Sequence, residues 1–327
     1  MPAKIFSSGL SKNKNWREAV SEISSHVRRD LKEEPCDLLI ALHARRSHGS
    51  IVQFKKEFPG KKLVVVLTGT DLYRDLPGSA EARESLELAD RLIVLQDQAL
   101  RELAARHRRK ARVVYQSADP KLRHAPPAGP LRVVVIGHLR AEKDPFRAAH
   151  ALRHLRGMKI QVVHVGAALD ASFAAKAEFL MKKEPRYRWI GGLSHPQALG
   201  WLARSHLLVV SSVMEGGANV IAEAARIGTP VIASRVSGNV GMLGRGYAGF
   251  YPLYDDAALA SLILKAFQSG RFFEKLKKSL QERKPLFSPA AERAALIAAI
   301  ASPLRAPARS SSRSRRRPRS GSGRRGR

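Results

Sequence analysis

The run Leu207 to Val210, the segment Glu215-Gly216-Gly217-Ala218-Asn219-Val220-Ile221-Ala222-Glu223 and then Gly228-Thr229-Pro230-Val231-Ile232 constrain this chain more than any other stretch. An apolar run, a glycine loop, a helical segment, a turn and a second apolar run read as strand, loop, helix, turn, strand. The glycines let the backbone approach a ligand closely, and the helix start presents free N–H groups at the positive end of its dipole. Such a place suits phosphate, with Gly216, Gly217, Ala218 and Asn219 around it. Glu215 is expected in the loop before the helix and Glu223 about two turns inside it. A carboxylate within the helix can accept hydrogen bonds from a ribose diol, while the loop carboxylate sits near the phosphates and the reacting sugar. The segment therefore reads as a nucleotide-sugar site.

The rest of the chain repeats the pattern of apolar strands alternating with amphipathic helices, which is that of a parallel α/β architecture. A short strand is predicted at Lys4 to Phe6, and Trp16, Ala19, Val20, Ile23, Val27 and Leu31 keep helical spacing on one face. Strands follow at Asp37 to Leu42 and Leu63 to Leu67, a helix near Ala80 to Ala89, and a strand at Arg91 to Leu95. Residues 97–109 read as a very basic helix and Arg112 to Tyr115 as a strand. Ala125-Pro126-Pro127-Ala128-Gly129-Pro130 forbids any continuing element, and the pattern restarts at Leu131 to Ile136. This divides the chain into a first Rossmann-like domain over 1–124, a linker over 125–130, a second such domain over 131–302, and a tail over 303–327.

The tail explains part of the charge. Of a formal net charge of +30 over 327 residues, ten arginines fall between Arg305 and Arg327 with no acidic residue among them. Set among Ser, Gly and Pro, they cannot bury a core, so the tail is expected to be disordered and to bind polyanions loosely. The remaining basic excess suits anionic ligands such as nucleoside diphosphates, and also nucleic acid or an acidic membrane surface. The single cysteine, Cys36, excludes a disulfide framework within the chain. With no apolar run long enough for a membrane span and no signal-like N-terminus, a cytoplasmic protein is expected.

The second half offers a further phosphate-binding group. Gly137-His138-Leu139-Arg140-Ala141-Glu142-Lys143 directly follows the strand at Leu131 to Ile136. Ligands of open α/β sheets bind at the carboxyl ends of strands, so this loop is expected to face the cleft. Arg140 offers a planar fork and Lys143 a mobile point charge, a pair suited to a diphosphate and to the charge that grows on a departing UDP. No Asp-x-Asp sequence occurs. No metal is required if Arg140, Lys143 and the helix start neutralise the diphosphate, and no cofactor is expected beyond the UDP-sugar donor.

Taken together, Gly-x-Leu-x-x-x-Lys, Glu-x7-Glu and Gly-Thr-Pro-Val-Ile-Ala-Ser resemble the nucleotide-binding half of GT-B glycosyltransferases of the GT4-like type. The detail is similar to one branch, the selenosugar synthases of selenoneine biosynthesis. The blocks that carry this resemblance are Asn15-Trp16, Leu42-His43-Ala44-Arg45-Arg46-Ser47, Leu67-Thr68-Gly69-Thr70-Asp71-Leu72-Tyr73-Arg74-Asp75, Gly137-His138-Leu139-Arg140, His164 to Asp170, Tyr187-Arg188-Trp189, Met214 to Asn219, and Gly238 to Gly244. It covers about residues 13 to 300. It implies a GT-B fold, two Rossmann-like domains with a cleft between them, and a reaction joining selenophosphate to the anomeric carbon of a UDP-sugar, UDP-N-acetylglucosamine or UDP-glucose. It also implies a selenophosphate synthetase and a selenoneine synthase as pathway neighbours.

Selenophosphate is anionic at neutral pH, so its selenium needs placement and positive charge more than a strong base. On the resemblance, Arg45 or Arg46 would take the acceptor phosphate. Thr68, Gly69, Thr70 and Asn15 would line its wall, and His43 or Asp71 would position it or handle a proton, Asp71 being equally suited to cap the helix before Leu72. Glu215 is the remaining catalytic candidate. Gln116 and Ser117, at the end of the last strand of the first domain, are expected near the sugar. A glycosyltransferase with a hydroxyl acceptor would instead need a true general base, and a non-catalytic nucleotide or polyanion binder is the rival of another class. The first domain departs from the pattern: the helix from Trp16 leads through Glu33-Glu34-Pro35 almost directly into the strand at Cys36, so one strand is expected to be missing or much reduced.

Overall fold

The computed structural model describes residues 5–8, 27–28 and 37–301. Asn15, Trp16, Cys36 and the arginine-rich tail lie outside them. Among the described residues, two all-parallel sheets of six strands each form the architecture. In the first, β1 (Ile5–Ser8), β2 (Val27–Arg28), β3 (Leu38–Leu42), β4 (Lys62–Leu67), β5 (Arg91–Val94) and β6 (Ala111–Val113) lie in the order β2-β1-β3-β4-β5-β6. Helices α1 (His48–Glu57), α2 (Ala80–Leu88) and α3 (Ala105–Lys110) connect its later strands. The strands are near-continuous apolar runs because a parallel sheet is covered on both faces. Leu39, Ile40, Leu63, Val64, Val65, Leu92 and Ile93 are all fully buried.

Two expectations are corrected here. Val27 belongs to β2, so the helical face drawn through it from Trp16 does not run unbroken to Leu31. The strand read as missing or much reduced is the two-residue β2, paired in parallel with β1 through Ile5 and Val27. The segment read as one basic helix over 97–109 is also broken. A 3-10 turn, Asp97–Glu102, precedes α3, and the buried Gln96 side chain accepts the N–H groups of Gln98 and Ala99 at its start.

The second sheet contains β7 (Leu131–Ile136), β8 (Ile160–Val165), β9 (Tyr187–Trp189), β10 (Leu207–Val210), β11 (Val231–Ser234) and β12 (Phe250–Tyr251), in the order β12-β11-β10-β7-β8-β9. Its connecting helices are α4 (Arg147–Ala151), α5 (Ala171–Lys183), α6 (His195–Ala203), α7 (Asn219–Ile227) and α8 (Ser237–Leu243), followed by α9 (Asp256–Gln268) and α10 (Gly270–Arg283). This is the doubly wound order with its switch point between β7 and β10, where two loops diverge and leave a crevice. Residues 114–130 carry no regular element.

After α10 the chain returns to the first domain. The last helix, α11 (Pro289–Ala301), was assigned to the second domain by its place in sequence, yet Leu296, Ala299 and Ile300 pack with Leu38, Ile40, Val64, Val66 and Ile93 of the first sheet. Burying Leu296 and Ile300 contributes about 1.5–3 kcal/mol each. The buried Glu292 of the same helix accepts both the N–H and the hydroxyl of Ser117, at 3.0 and 2.5 Å. Ser117 therefore fastens the returning helix, a structural task in place of the expected sugar contact. Among the described residues no helix is long and apolar enough to cross a membrane.

Candidate functional site

The switch point of the second sheet gathers the groups singled out from the sequence. The loop after β7 and the loop after β10 are stitched together: the Ser211 hydroxyl reaches the carbonyls of Lys143 and Asp144 at 3.0 and 2.8 Å, and the Val213 N–H donates to the Glu142 carbonyl at 3.0 Å. Lys143 Nζ donates to Glu215 Oε1 at 2.5 Å, and the same oxygen accepts the Ser212 hydroxyl at 2.5 Å. Glu215 is only 8% exposed, so on its side the pair is shielded from water, while Lys143 keeps partial contact with solvent. Behind it, Ser234 Oγ donates to the Ser212 carbonyl at 2.6 Å, and Asn239 Nδ2 donates to Ser234 Oγ at 3.0 Å. These fully or nearly buried groups hold the Glu215 loop on β11 and α8. Nothing local in the sequence marked Ser212, Ser234 or Asn239 for that task.

Gly137 is held from below. The buried His164 ring bonds the Gly137 carbonyl through Nε2 at 3.1 Å and the Tyr187 hydroxyl through Nδ1 at 3.2 Å. Burial pushes the His164 pKa down to about 4, so the ring is neutral at pH 7 and donates from Nε2. A side chain at Gly166 would stand 1.9 Å from the Gly137 carbonyl oxygen, which is why this neighbour is glycine. The unfolded chain takes up this proton near pH 6.5, so the stabilisation is complete above that pH and is lost as pH falls toward about 4. Between pH 7 and pH 5 it amounts to about 2 kcal/mol. Urea unfolding of the wild type and His164→Gln at both pH values is expected to show a pH dependence smaller by that amount in the variant. Equal dependences would contradict it.

Helix α7 starts at Asn219, where the sequence placed a phosphate-binding helix start. Ala218 makes no side-chain cap, the first turn carries no acidic residue, and Asn219 is exposed. The helix ends at Gly228 with φ 99°, a left-handed cap that turns the chain into β11. Because α7 begins at Asn219, Glu223 lies one turn inside it, not two. Its carboxylate pairs with His195 Nε2 at 2.7 Å. Burial raises the Glu223 pKa, against the opposing pull of His195. His195, the first residue of α6, was not read as part of the site. Arg140 is exposed on extended backbone in the loop after β7.

The first domain contributes the opposite wall, and here the residues act differently from expectation. Asp71 is fully buried. Its Oδ1 accepts the N–H groups of Thr68 and Gly69, both at 2.9 Å, and of Leu72 at 3.1 Å, while Oδ2 accepts the Ala44 N–H at 3.0 Å. With both oxygens committed to backbone donors, Asp71 is a brace between the loops after β3 and β4, not a group that exchanges protons in the cleft. His43 is also engaged on both sides. Its Nδ1 accepts the Arg46 N–H at 3.3 Å, and its Nε2 meets Thr70 Oγ1 at 3.0 Å and Asp75 Oδ2 at 3.6 Å. Burial lowers the His43 pKa despite the upward pull of Asp71 and Asp75. Its backbone sits at φ 73°, a left-handed conformation rare outside glycine. Arg45 and Arg46 are exposed, and Arg45 Nε pairs with the buried Asp75 Oδ2 at 3.3 Å. Asp75 belongs to a recognised block, but no role for it was legible.

Across the cleft the two walls touch. A Cβ on Gly216 would lie 2.1 Å from the Thr68 carbonyl oxygen, and one on Gly217 would lie 2.8 Å from Leu95 Cβ. These two glycines, read as making room for a ligand, make room for the other domain. Gly69, at φ 128°, faces the Gly216 backbone from the opposite side. Arg74 Nη1 binds Glu142 Oε1 at 3.0 Å, and the Tyr73 hydroxyl donates to Ser237 Oγ at 3.2 Å while accepting from Gln96 Nε2 at 2.9 Å. Among the described residues no group of three acidic, histidine or cysteine side chains is placed to hold a metal ion.

The family model described as Glycosyl transferases group 1 matches residues 120–284. No curated protein sequence matches the chain. Among solved structures, HepE of Anabaena in complex with UDP superposes with a TM-score of 0.73 at 16% identity, over 92% of this chain and 99% of that one. Sucrose-phosphate synthase from Thermosynechococcus elongatus gives 0.66 at 20% identity, over 86% and 74% of the two chains. A glycosyltransferase from Rickettsia africae gives 0.68 at 11% identity, over 90% and 97%. At these identities the likeness is one of fold, and the two parallel-sheet domains have the GT-B arrangement.

Proposed function

Since the chain belongs to the group 1 glycosyl transferases, we propose that it transfers a sugar from a UDP-sugar, UDP-N-acetylglucosamine or UDP-glucose, to selenophosphate. As a member of that family it needs no cofactor beyond the donor. The donor lies at the switch point of the second domain. Its diphosphate is met by the start of α7, Lys143 and Arg140, its ribose by Glu223, and its reacting sugar by Glu215. In the reaction the selenium of selenophosphate forms a bond to the anomeric carbon as the carbon–oxygen bond to the β-phosphate breaks. The electron pair leaves with UDP. Hydrolysis of the selenium–phosphorus bond then frees phosphate and the selenosugar.

The observation that carries this reading is the character of the acceptor wall. Both ring nitrogens of His43 and both oxygens of Asp71 are engaged internally, whereas Arg46 is exposed, as is Arg45, which reaches Asp75 through Nε. A wall with cations and no free base among its candidates favours an acceptor that is already an anionic nucleophile over a neutral hydroxyl, which needs its proton removed. The UDP complex of HepE supports a UDP-sugar donor by analogy of fold.

The test is UDP release from UDP-N-acetylglucosamine and from UDP-glucose, with and without selenophosphate, followed by mass spectrometry of the product. Release that depends on selenophosphate and yields a selenium-bearing sugar is the expected result. Release that selenophosphate leaves unchanged, but that a hydroxyl compound stimulates, would assign the ordinary glycosyltransferase reaction instead. Binding of UDP with no turnover on any acceptor would leave a nucleotide binder.

A further inference from the structure

A pocket of about 130 Å³ opens beside Glu215 on the side facing the first domain. Its walls include Tyr73 and Glu102 from that domain and Met214, Glu215, Ser237 and Gly238 from the second. Among the described residues no lysine, arginine or histidine lines it. The two carboxylates differ: Glu215 is neutralised by Lys143, whereas Glu102 is exposed and engaged in no ion pair with any described residue. The Tyr73 hydroxyl is already committed to Ser237 and Gln96, so it shapes the pocket and bolts the domains together without being free to donate to a ligand. The cations of the first domain, Arg45 and Arg46, are absent from this lining.

We propose that this pocket takes the sugar ring of the donor, and that Glu102 makes it selective for an uncharged hexose over a uronic acid. The inference rests on the UDP-sugar reading of the same site and narrows it. Two features carry it. The pocket shares Glu215 with the neighbouring crevice that is lined by Gly137, Lys143, Ser212 and Val220, so a ring carried by a diphosphate held there would enter past Glu215. Its unpaired charge is negative, so a hydroxylated ring can donate hydrogen bonds to Glu102 while a second carboxylate would be repelled.

The experiment is calorimetric titration of the full chain with UDP, UDP-glucose and UDP-glucuronate, for the wild type, Glu102→Gln and Glu102→Lys. The wild type is expected to bind UDP-glucuronate at least tenfold more weakly than UDP-glucose. Glu102→Gln should narrow that ratio and Glu102→Lys erase or invert it, with the affinity for UDP unchanged in both. A ratio that neither substitution moves, or a wild type that binds both sugars equally, overturns the pocket assignment while leaving UDP recognition intact. If UDP itself fails to bind the wild type, the donor reading and this inference fall together.

Discussion

Glu215→Ala is expected to lower kcat for sugar transfer by roughly 10²–10³, the scale seen when one preorganised electrostatic group is removed from an active site. Lys143→Met should fall in the same range. The two side chains form one unit, with Lys143 Nζ 2.5 Å from the buried Glu215 Oε1. Removing the carboxylate leaves the half-buried Lys143 ammonium without its partner. Removing the ammonium leaves a carboxylate of 8% exposure held, among the described residues, through the Ser212 hydroxyl and takes away a cation that would meet the departing diphosphate. Because each variant disables the same unit, the double variant should lose little more than the worse single, a strong departure from additivity. UDP release under saturating donor gives kcat, and titration with UDP alone separates donor binding from chemistry. Near-normal turnover in both single variants, with only lowered stability, would make the pair a structural brace.

Gly216→Ala should reduce turnover by roughly 10²-fold by a different route, since small misplacements of reacting groups have effects of that order. The added methyl would stand 2.1 Å from the Thr68 carbonyl oxygen and 2.8 Å from the Gly69 nitrogen, both backbone atoms that cannot swing aside. Gly216 is not among the residues of positive φ, so its own backbone tolerates alanine and the conflict arises only with the facing domain. The two walls would part and draw Arg45 and Arg46 away from the Glu215 loop. Solution scattering should report a larger radius of gyration, while affinity for UDP, which depends on the second domain, changes little. Wild-type turnover together with wild-type scattering would contradict this account. Gly69→Ala is a less clean probe, because φ 128° at that position strains any side chain by itself.

The places where expectation and structure diverge share a cause. Hydrophobic periodicity reports that a residue is buried, but not against what. Leu296, Ala299 and Ile300 carry a readable apolar face, yet their partners in β3, β4 and β5 are some two hundred residues earlier in the chain. Likewise Asp71 stands in a block rich in polar groups, and only the packing of β3 beside β4 brings the Ala44 N–H onto its second oxygen. Glu223 was legible as a helical carboxylate at the site, whereas its partner His195 comes from another helix.

What the amino-acid order determined by itself is the local part. The runs Leu63 to Leu67, Leu131 to Ile136 and Leu207 to Val210 are strands, Gly228 ends α7, residues 125–130 separate two sheets, and the loops after β7 and β10 bear Lys143 and Glu215. These follow from propensity, period and turn chemistry, which act over a few residues. Tertiary structure alone decided that Lys143 pairs with Glu215 across 72 positions, that Gly216 accommodates the facing domain, and that His43 and Asp71 are committed internally. Such outcomes depend on which distant backbone atoms meet once the sheets are wound and the domains close, and no local pattern specifies that meeting.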